Sequence, residues 1–217
     1  MITKKTKKCK NSLGEKVLCS ATTGKFDAMP SADFTTKGLL AYFSKNFGFN
    51  AQETVAIMGA HNLGKAFRDH SGYRGAGGWH KDPTALNRGY YASLNLTTWN
   101  LTFVNNSDIP NMHDKYQWTA KNSNTSLPPF FMLNSDMAVL YDMDGYLNST
   151  SGFVGCQIPR ANPTSPVCPY AKQTYDSFVR YKFNDTTFLY DFRDVFNKML
   201  TRGYNTSSGC PLPPCYL

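Results

Sequence analysis

One histidine stands where its neighbours would let it do chemistry. His61 closes the run Glu53-Thr54-Val55-Ala56-Ile57-Met58-Gly59-Ala60-His61-Asn62-Leu63-Gly64-Lys65. A neutral imidazole can ligate a metal or accept a proton, and the second ring nitrogen decides which. An imidazole at a helix's carbonyl end also feels a field that favours positive charge. Gly59 and Ala60 are small enough for a flat ligand or a neighbouring backbone to come close. The run alone leaves two readings open: a satisfied core histidine or a ligand. Other candidates fall away on spacing. Six cysteines (Cys9, Cys19, Cys156, Cys168, Cys210, Cys215) show no CxxC pair. Asp142-x-Asp144-Gly145 lacks the spacing and closing glutamate of a calcium loop, so it reads as a turn. The glycines of Gly72 to Gly78 follow no strand and open no helix, which excludes a dinucleotide site. Trp99 and Trp118 read as structural.

The elements that must hold His61 can be taken in chain order. Asn50 and Glu53 have the spacing of a reciprocal cap at the start of the His61 helix, and Gly64 is placed to end it. Before it, Asp33 can cap a helix over 34–47 with apolar Leu39, Leu40, Tyr42, Phe43 and Phe47, stopped by Gly48. Residues 68–86 read as an ordered loop, followed by a short helix at 88–94. Stretches 98–103, 115–119 and 130–133 alternate weakly and predict strands. Ser135 can cap a helix running to about 142, which makes Asp136 a carboxylate in its first turn. Residues 145–170 read as irregular. Helices at 175–181 and 185–201 close the body, with Gly203 as the stop. No internal repeat is present. The chain reads as mainly α with a small antiparallel β element.

Its 217 residues, 41% hydrophobic, suffice for one domain with a core. The net charge of +8 is uneven: residues 1–25 carry +6 and the remainder +2. Seven lysines in that first segment, without interleaved aromatics, predict a solvated loop or tail over 1–33 and no nucleic-acid binding. No run is long enough to cross a membrane. Seven Asn-x-Ser/Thr sequons begin at Asn95, Asn100, Asn105, Asn124, Asn148, Asn184 and Asn205. That exceeds the roughly three expected from the composition. With an even cysteine count it predicts a secreted, N-glycosylated, disulfide-bonded protein. Cys156–Cys168 and Cys210–Cys215 are the pairings suggested by proximity. Met1-Ile2-Thr3 leads into lysines with no apolar stretch after them, so an export signal is missing and the chain is expected to be incomplete.

The His61 run resembles the proximal-histidine signature of the haem peroxidases of the plant, fungal and bacterial superfamily. Ser71-Gly72-Tyr73-Arg74-Gly75, Trp79 and Asn87 to Tyr91 are similar to the stretch after the proximal helix in the cytochrome c peroxidase and ascorbate peroxidase branch. Phe131 to Ala138 resembles the family's aspartate segment, and Phe188 to Met199 its last helix. The resemblance spans about residues 25–204 in order, and it implies a proximal haem domain at 26–205 between a basic tail (1–25) and a Cys/Pro-rich tail (206–217). It implies haem b with His61 as the iron's proximal ligand, and a hydrogen-peroxide-dependent oxidation of a small reductant in the response to oxidative stress. Asp136 would hold the other nitrogen of His61, giving the ring imidazolate character. Trp79, after a two-residue insertion, would pass an electron, its indole N–H bonding to the same aspartate. Ala60, Gly64, Lys65 and Ser71 would line the cofactor.

Two departures qualify this. Ala66 and Phe67 stand where the family carries a threonine and a histidine that help hold a haem propionate. Ser71 and Lys65 are left to serve, which predicts a weaker hold. The distal histidine and arginine that move the peroxide proton lie upstream in the family, and none of the 60 residues before His61 is His or Arg. The chain is therefore expected to hold the proximal half alone, as a fragment or as a non-catalytic haem-binding scaffold glycoprotein.

Overall fold

The computed structural model describes residues 29–96, 98–120, 128–158 and 166–202, and the backbone of 7–10 and 16–19. Two compact units are present, one of residues 29–195 and one of residues 1–28 and 196–217. In the smaller unit, β1 (Lys7–Lys10) pairs antiparallel with β2 (Lys16–Cys19), Lys10 opposite Lys16. The expected loop is therefore partly a hairpin. The run Val17-Leu18-Cys19 has strand-forming residues whose signal the surrounding lysines obscured.

The larger unit begins with α1 (Thr36–Phe47). Its cap is Thr35, whose hydroxyl accepts the Gly38 N–H, and not Asp33. Asp33 instead accepts a bond from Asn134 Nδ2 at 3.0 Å. Gly48 ends the helix at φ 68, a conformation that costs glycine nothing. Next, α2 (Ala51–Met58) opens with the expected reciprocal cap: Glu53 N–H donates to Asn50 Oδ1, and Asn50 N–H to Glu53 Oε2, both at 2.8 Å. The helix tightens into a 3₁₀ turn over Gly59–Asn62, five residues earlier than Gly64 would have ended it. Then come α3 (Arg68–Ser71), α4 (Gly89–Leu96), α5 (Asn134–Met137), α6 (Tyr175–Phe183) and α7 (Asp185–Thr201), of which residues 185–195 belong to this unit. Between α4 and α5, strands β3 (Asn100–Val104), β4 (Lys115–Ala120) and β5 (Phe130–Met132) form one antiparallel sheet in sequence order. The molecule is mainly α with a small antiparallel sheet, as its periodicities predicted.

The core forms where α2, α4, α6 and the start of α7 meet. Val55, Ala56, Tyr90, Tyr91, Leu94, Phe178, Tyr181 and Phe188 are all buried. Each large side chain contributes about 1.5–3 kcal/mol on leaving water. The Tyr91 ring meets Tyr181 and Phe188 at 5.4 and 5.2 Å between centroids, and its hydroxyl donates to Val55 O at 2.8 Å. Gly59 gives its space to these rings and not to a flat ligand: a Cβ there would overlap Phe188 and the Tyr91 hydroxyl. Its φ of −60 is ordinary helix, so only room is at stake. Gly59→Ala should cost about 1–3 kcal/mol through overpacking, read as a lowered urea midpoint at constant slope.

Tethers between distant segments fix α5, which carries Asp136. Trp118 Nε1 donates to Asn134 Oδ1 at 2.9 Å, and Asn134 Nδ2 also donates to Gly152 O at 2.9 Å. Ser135, expected as the cap, is inside the helix, with its N–H bonded to Ala32 O at 2.9 Å. The capping position belongs to Leu133. Cys156 and Cys168 form the disulfide expected from their proximity, with Cα atoms 5.1 Å apart. The other suggested pair, Cys210–Cys215, and the Gly203 stop lie outside the described residues.

Candidate active site

Three segments far apart in sequence converge on the His61 ring. Its Nδ1 lies 2.7 Å from Asp136 Oδ1, and the carboxylate is wholly buried. Asp136 Oδ2 accepts the Leu133 N–H at 2.8 Å. One oxygen thus caps the short α5 while the other orients the imidazole, so both readings of this carboxylate hold, each on its own atom. With Nδ1–H donating to a buried acceptor, Nε2 is the ring nitrogen left with its lone pair. It has no partner among the described residues, and it is not buried. The side chain as a whole is 36% exposed.

The ring's remaining neighbours are aromatic. Trp79 lies within 5° of parallel to it with centroids 4.1 Å apart, and Phe131 stacks on Trp79 at 4.0 Å. Glycines make the stack possible. A Cβ on Gly75 would overlap the Phe131 ring, and one on Gly77 would overlap the carbonyls of Pro128 and Pro129. Gly78 at φ 80 turns the chain so that its carbonyl accepts the Phe131 N–H at 3.2 Å. Trp79 contributes area to the site but no bond to Asp136. That bond comes from Tyr90, whose hydroxyl donates to Asp136 Oδ1 at 2.9 Å.

Asn62, also wholly buried, locks the turn carrying His61 onto this framework: Oδ1 accepts the Tyr90 N–H at 2.7 Å, and Nδ2 donates to Ala85 O. Tyr90 and Asn62 carried no assigned role in the sequence, and nothing there distinguishes a bonding tyrosine from a packing one. Other expected residues sit differently. Ala60 is half-buried beside His61, and Gly64 (φ 86) and Lys65 are exposed just beyond. The Ser71 hydroxyl donates to Phe67 O at 2.9 Å and accepts the Tyr73 N–H at 3.1 Å, within its own turn. Leu63 and Phe67 are 43% and 55% exposed, giving the stretch after His61 an uncovered apolar surface.

Two histidines respond to pH in opposite directions. Burial works to lower the His61 pKa, but the charge and hydrogen bond of Asp136 outweigh it and leave the value raised above 6.5. Its contribution to stability is therefore present below the unfolded value near 6.5 and lost as pH rises through the raised one. His80 is lowered, chiefly by burial, and its Nδ1 accepts the Asp82 N–H at 2.9 Å, where an added proton would face another. Its contribution is full above about 6.5 and lost as pH falls. In the ligand-free chain, replacing His61 should cost more stability on the acid side of its raised pKa than on the basic side, where the neutral ring contributes only its hydrogen bond and its stack, and His80→Leu should flatten the acid-side decline. Urea midpoints between pH 5 and 8 check both signs.

A family model described as peroxidase matches residues 6–150. The chain belongs to the peroxidase family. A protein of Debaryomyces hansenii named a heme-binding peroxidase is 26% identical over 202 residues, 88% of this chain and 37% of the relative. A mitochondrial cytochrome c peroxidase of Neurospora crassa is 33% identical over 100 residues, 44% of this chain and 23% of the relative. One from Yarrowia lipolytica is 26% identical over 167 residues, 75% of this chain and 35% of the relative. The chain thus spans no more than 37% of the length of these three.

Membership in this peroxidase family implies a haem cofactor, and the site fits one. An accessible Nε2 on an imidazole clamped at Nδ1 is the donor that haem iron needs. The expectation of secretion is corrected: the Neurospora crassa and Yarrowia lipolytica relatives are named as mitochondrial, not secreted, enzymes. Three of the sequon asparagines have a structural use of their own, two in turns and one at the start of α7. Asn105, Asn148 and Asn184 accept backbone N–H groups from Ser107, Thr150 and Thr187 at 2.8, 3.0 and 2.9 Å. Asn followed by Ser or Thr is what such turns select. Among the described residues, no helix is long and apolar enough to cross a membrane.

Proposed function

We propose that His61 is the proximal ligand of haem b in a peroxidase that reduces hydrogen peroxide at the expense of a small reductant. The observation that carries this is the pairing of an accessible Nε2 with an Nδ1 held 2.7 Å from a wholly buried carboxylate. When bound, the haem supplies the redox chemistry. Asp136 draws on the Nδ1 proton, which makes Nε2 a stronger donor and favours the oxidised metal. Trp79, stacked on the ligand, is placed to pass an electron towards it, and Phe131 shields the far face of the indole from water. Leu63 and Phe67 offer apolar surface for the porphyrin to cover, and Gly64 leaves open space beside them. Lys65 is the cation available to a propionate. With Ser71 occupied in its own turn, that end of the cofactor is held by few bonds.

Titrating the purified chain with haem should saturate at one equivalent and give a histidine-ligated visible spectrum. Protonation competes with iron for Nε2, so affinity should fall as pH drops through the raised His61 pKa. Saturation at no defined stoichiometry, or affinity that rises in acid, would count against the assignment.

A further inference from the structure

Asp136 Oδ1 serves two donors at once. His61 Nδ1 approaches it at 2.7 Å and the Tyr90 hydroxyl at 2.9 Å, while the Leu133 N–H occupies the other oxygen. Tyr90 has no exposed surface and is held at both ends. Its N–H is fixed by Asn62, the residue after His61, and its hydroxyl by the residue that orients His61. A carboxylate is an acceptor only, so the phenol must donate. Each hydrogen bond a carboxylate oxygen accepts leaves less of its charge for the next donor, and here the phenol draws on the same oxygen that pulls the imidazole proton.

We propose that Tyr90 is a positioning residue that limits how far Asp136 withdraws the Nδ1 proton, and so limits the charge His61 donates through Nε2. This rests on the haem reading above. A merely space-filling tyrosine would need only its ring, which packs edge-on against Tyr91 at 5.1 Å. The hydroxyl, placed on the one oxygen shared with the ligand, does more than fill space.

The test is a redox titration of the haem-loaded chain. Tyr90→Phe keeps the ring and frees Asp136 to pull harder on His61. The ferric form should gain about tenfold over the ferrous, a fall in midpoint potential of about 59 mV. The iron–imidazole stretching frequency of the ferrous form should rise with it. In an Asp136→Asn background, loaded with excess haem, the same substitution should move neither quantity. An unchanged potential in a folded Tyr90→Phe chain whose spectrum still depends on His61 overturns the proposal, as does an equal shift in both backgrounds. If Tyr90→Phe fails to fold, 3-fluorotyrosine at position 90, a more acidic donor, should raise the potential, and no shift overturns the proposal. Should haem bind with an unaltered spectrum after His61→Ala, the ligand assignment falls and this inference falls with it.

Discussion

His61→Ala should lower the affinity of the chain for haem by at least about 100-fold and abolish the histidine-ligated spectrum. Loss of a partner that merely orients a ligand costs about 10–100-fold, so loss of the ligand itself should reach or exceed the upper figure. The alternatives in the chain are distinguishable. His80 is buried with Nδ1 already accepting a bond, whereas His70 and His113 are exposed on other turns. If either exposed histidine or Lys65 were the real donor, the spectrum would survive the substitution. Removing the ring also takes one of three donors from Asp136, so some loss of stability is expected, and it must be separated from loss of binding. Free imidazole makes the separation. The substitution leaves a slot between the Trp79 face and Asp136 Oδ1, bounded by the 4.1 Å stack and the 2.7 Å bond of the native ring. Millimolar imidazole should enter it and restore the spectrum. Restoration that is seen with the chain and not when the same imidazole is mixed with haem alone needs a folded slot, so that result excludes unfolding as the cause, and a spectrum indifferent to His61 rejects the assignment.

What the sequence disclosed depended on how far apart the interacting groups are. The Asn50–Glu53 cap was legible because both partners sit within one turn, and Gly48 because a left-handed helix end selects glycine. Where two polar residues compete for a cap, the choice depends on what else each can reach. Asp33 left α1 to Thr35 because Asn134, a hundred positions later, needed an acceptor. Ser135 likewise yielded the start of α5 to Leu133, whose N–H found the Asp136 carboxylate. The His61–Asp136 pair, 75 positions apart, has no local pattern at all, and only the resemblance to a known family suggested it. That resemblance also suggested a Trp79 bond to Asp136, which the geometry replaces with one from Tyr90. With Trp79 turned parallel to His61, its contribution is a ring face, and a phenol from α4 takes the vacated bond. The hairpin at 7–19 was hidden for a related reason. Short polar patterns are chosen by turns and strands as readily as by a solvated tail.

Asp136→Ala should be the most destabilising single change at the site, at about 3–5 kcal/mol, the range found when one partner of a buried charged pair is removed. It strands three donors around a wholly buried position: His61 Nδ1, the Tyr90 hydroxyl and the Leu133 N–H. Each orphan costs about 1–3 kcal/mol, and partial collapse of the site keeps the total below their sum. Asp136→Asn is the more informative change, because it keeps the shape and forces a choice. If the amide oxygen stays on the His61 side, the amide NH₂ confronts the Leu133 N–H and loosens the start of α5. If the amide flips, the oxygen caps Leu133 and the NH₂ faces His61 Nδ1. The ring must then adopt the tautomer that puts the proton on Nε2, the nitrogen that has to bind iron. The first outcome lowers stability with little effect on binding, and the second lowers haem affinity by about 10–100-fold at modest cost in stability. His61 is the softer neighbour, since its side chain is 36% exposed whereas Leu133 is fixed in the backbone entering α5, so the flip is the expected result. Nitrogen chemical shifts of the His61 ring in the haem-free Asn variant report the tautomer directly. Finding Nδ1 still protonated, with haem bound as tightly as by the native chain, would mean that Asp136 holds the helix and leaves the ligand alone.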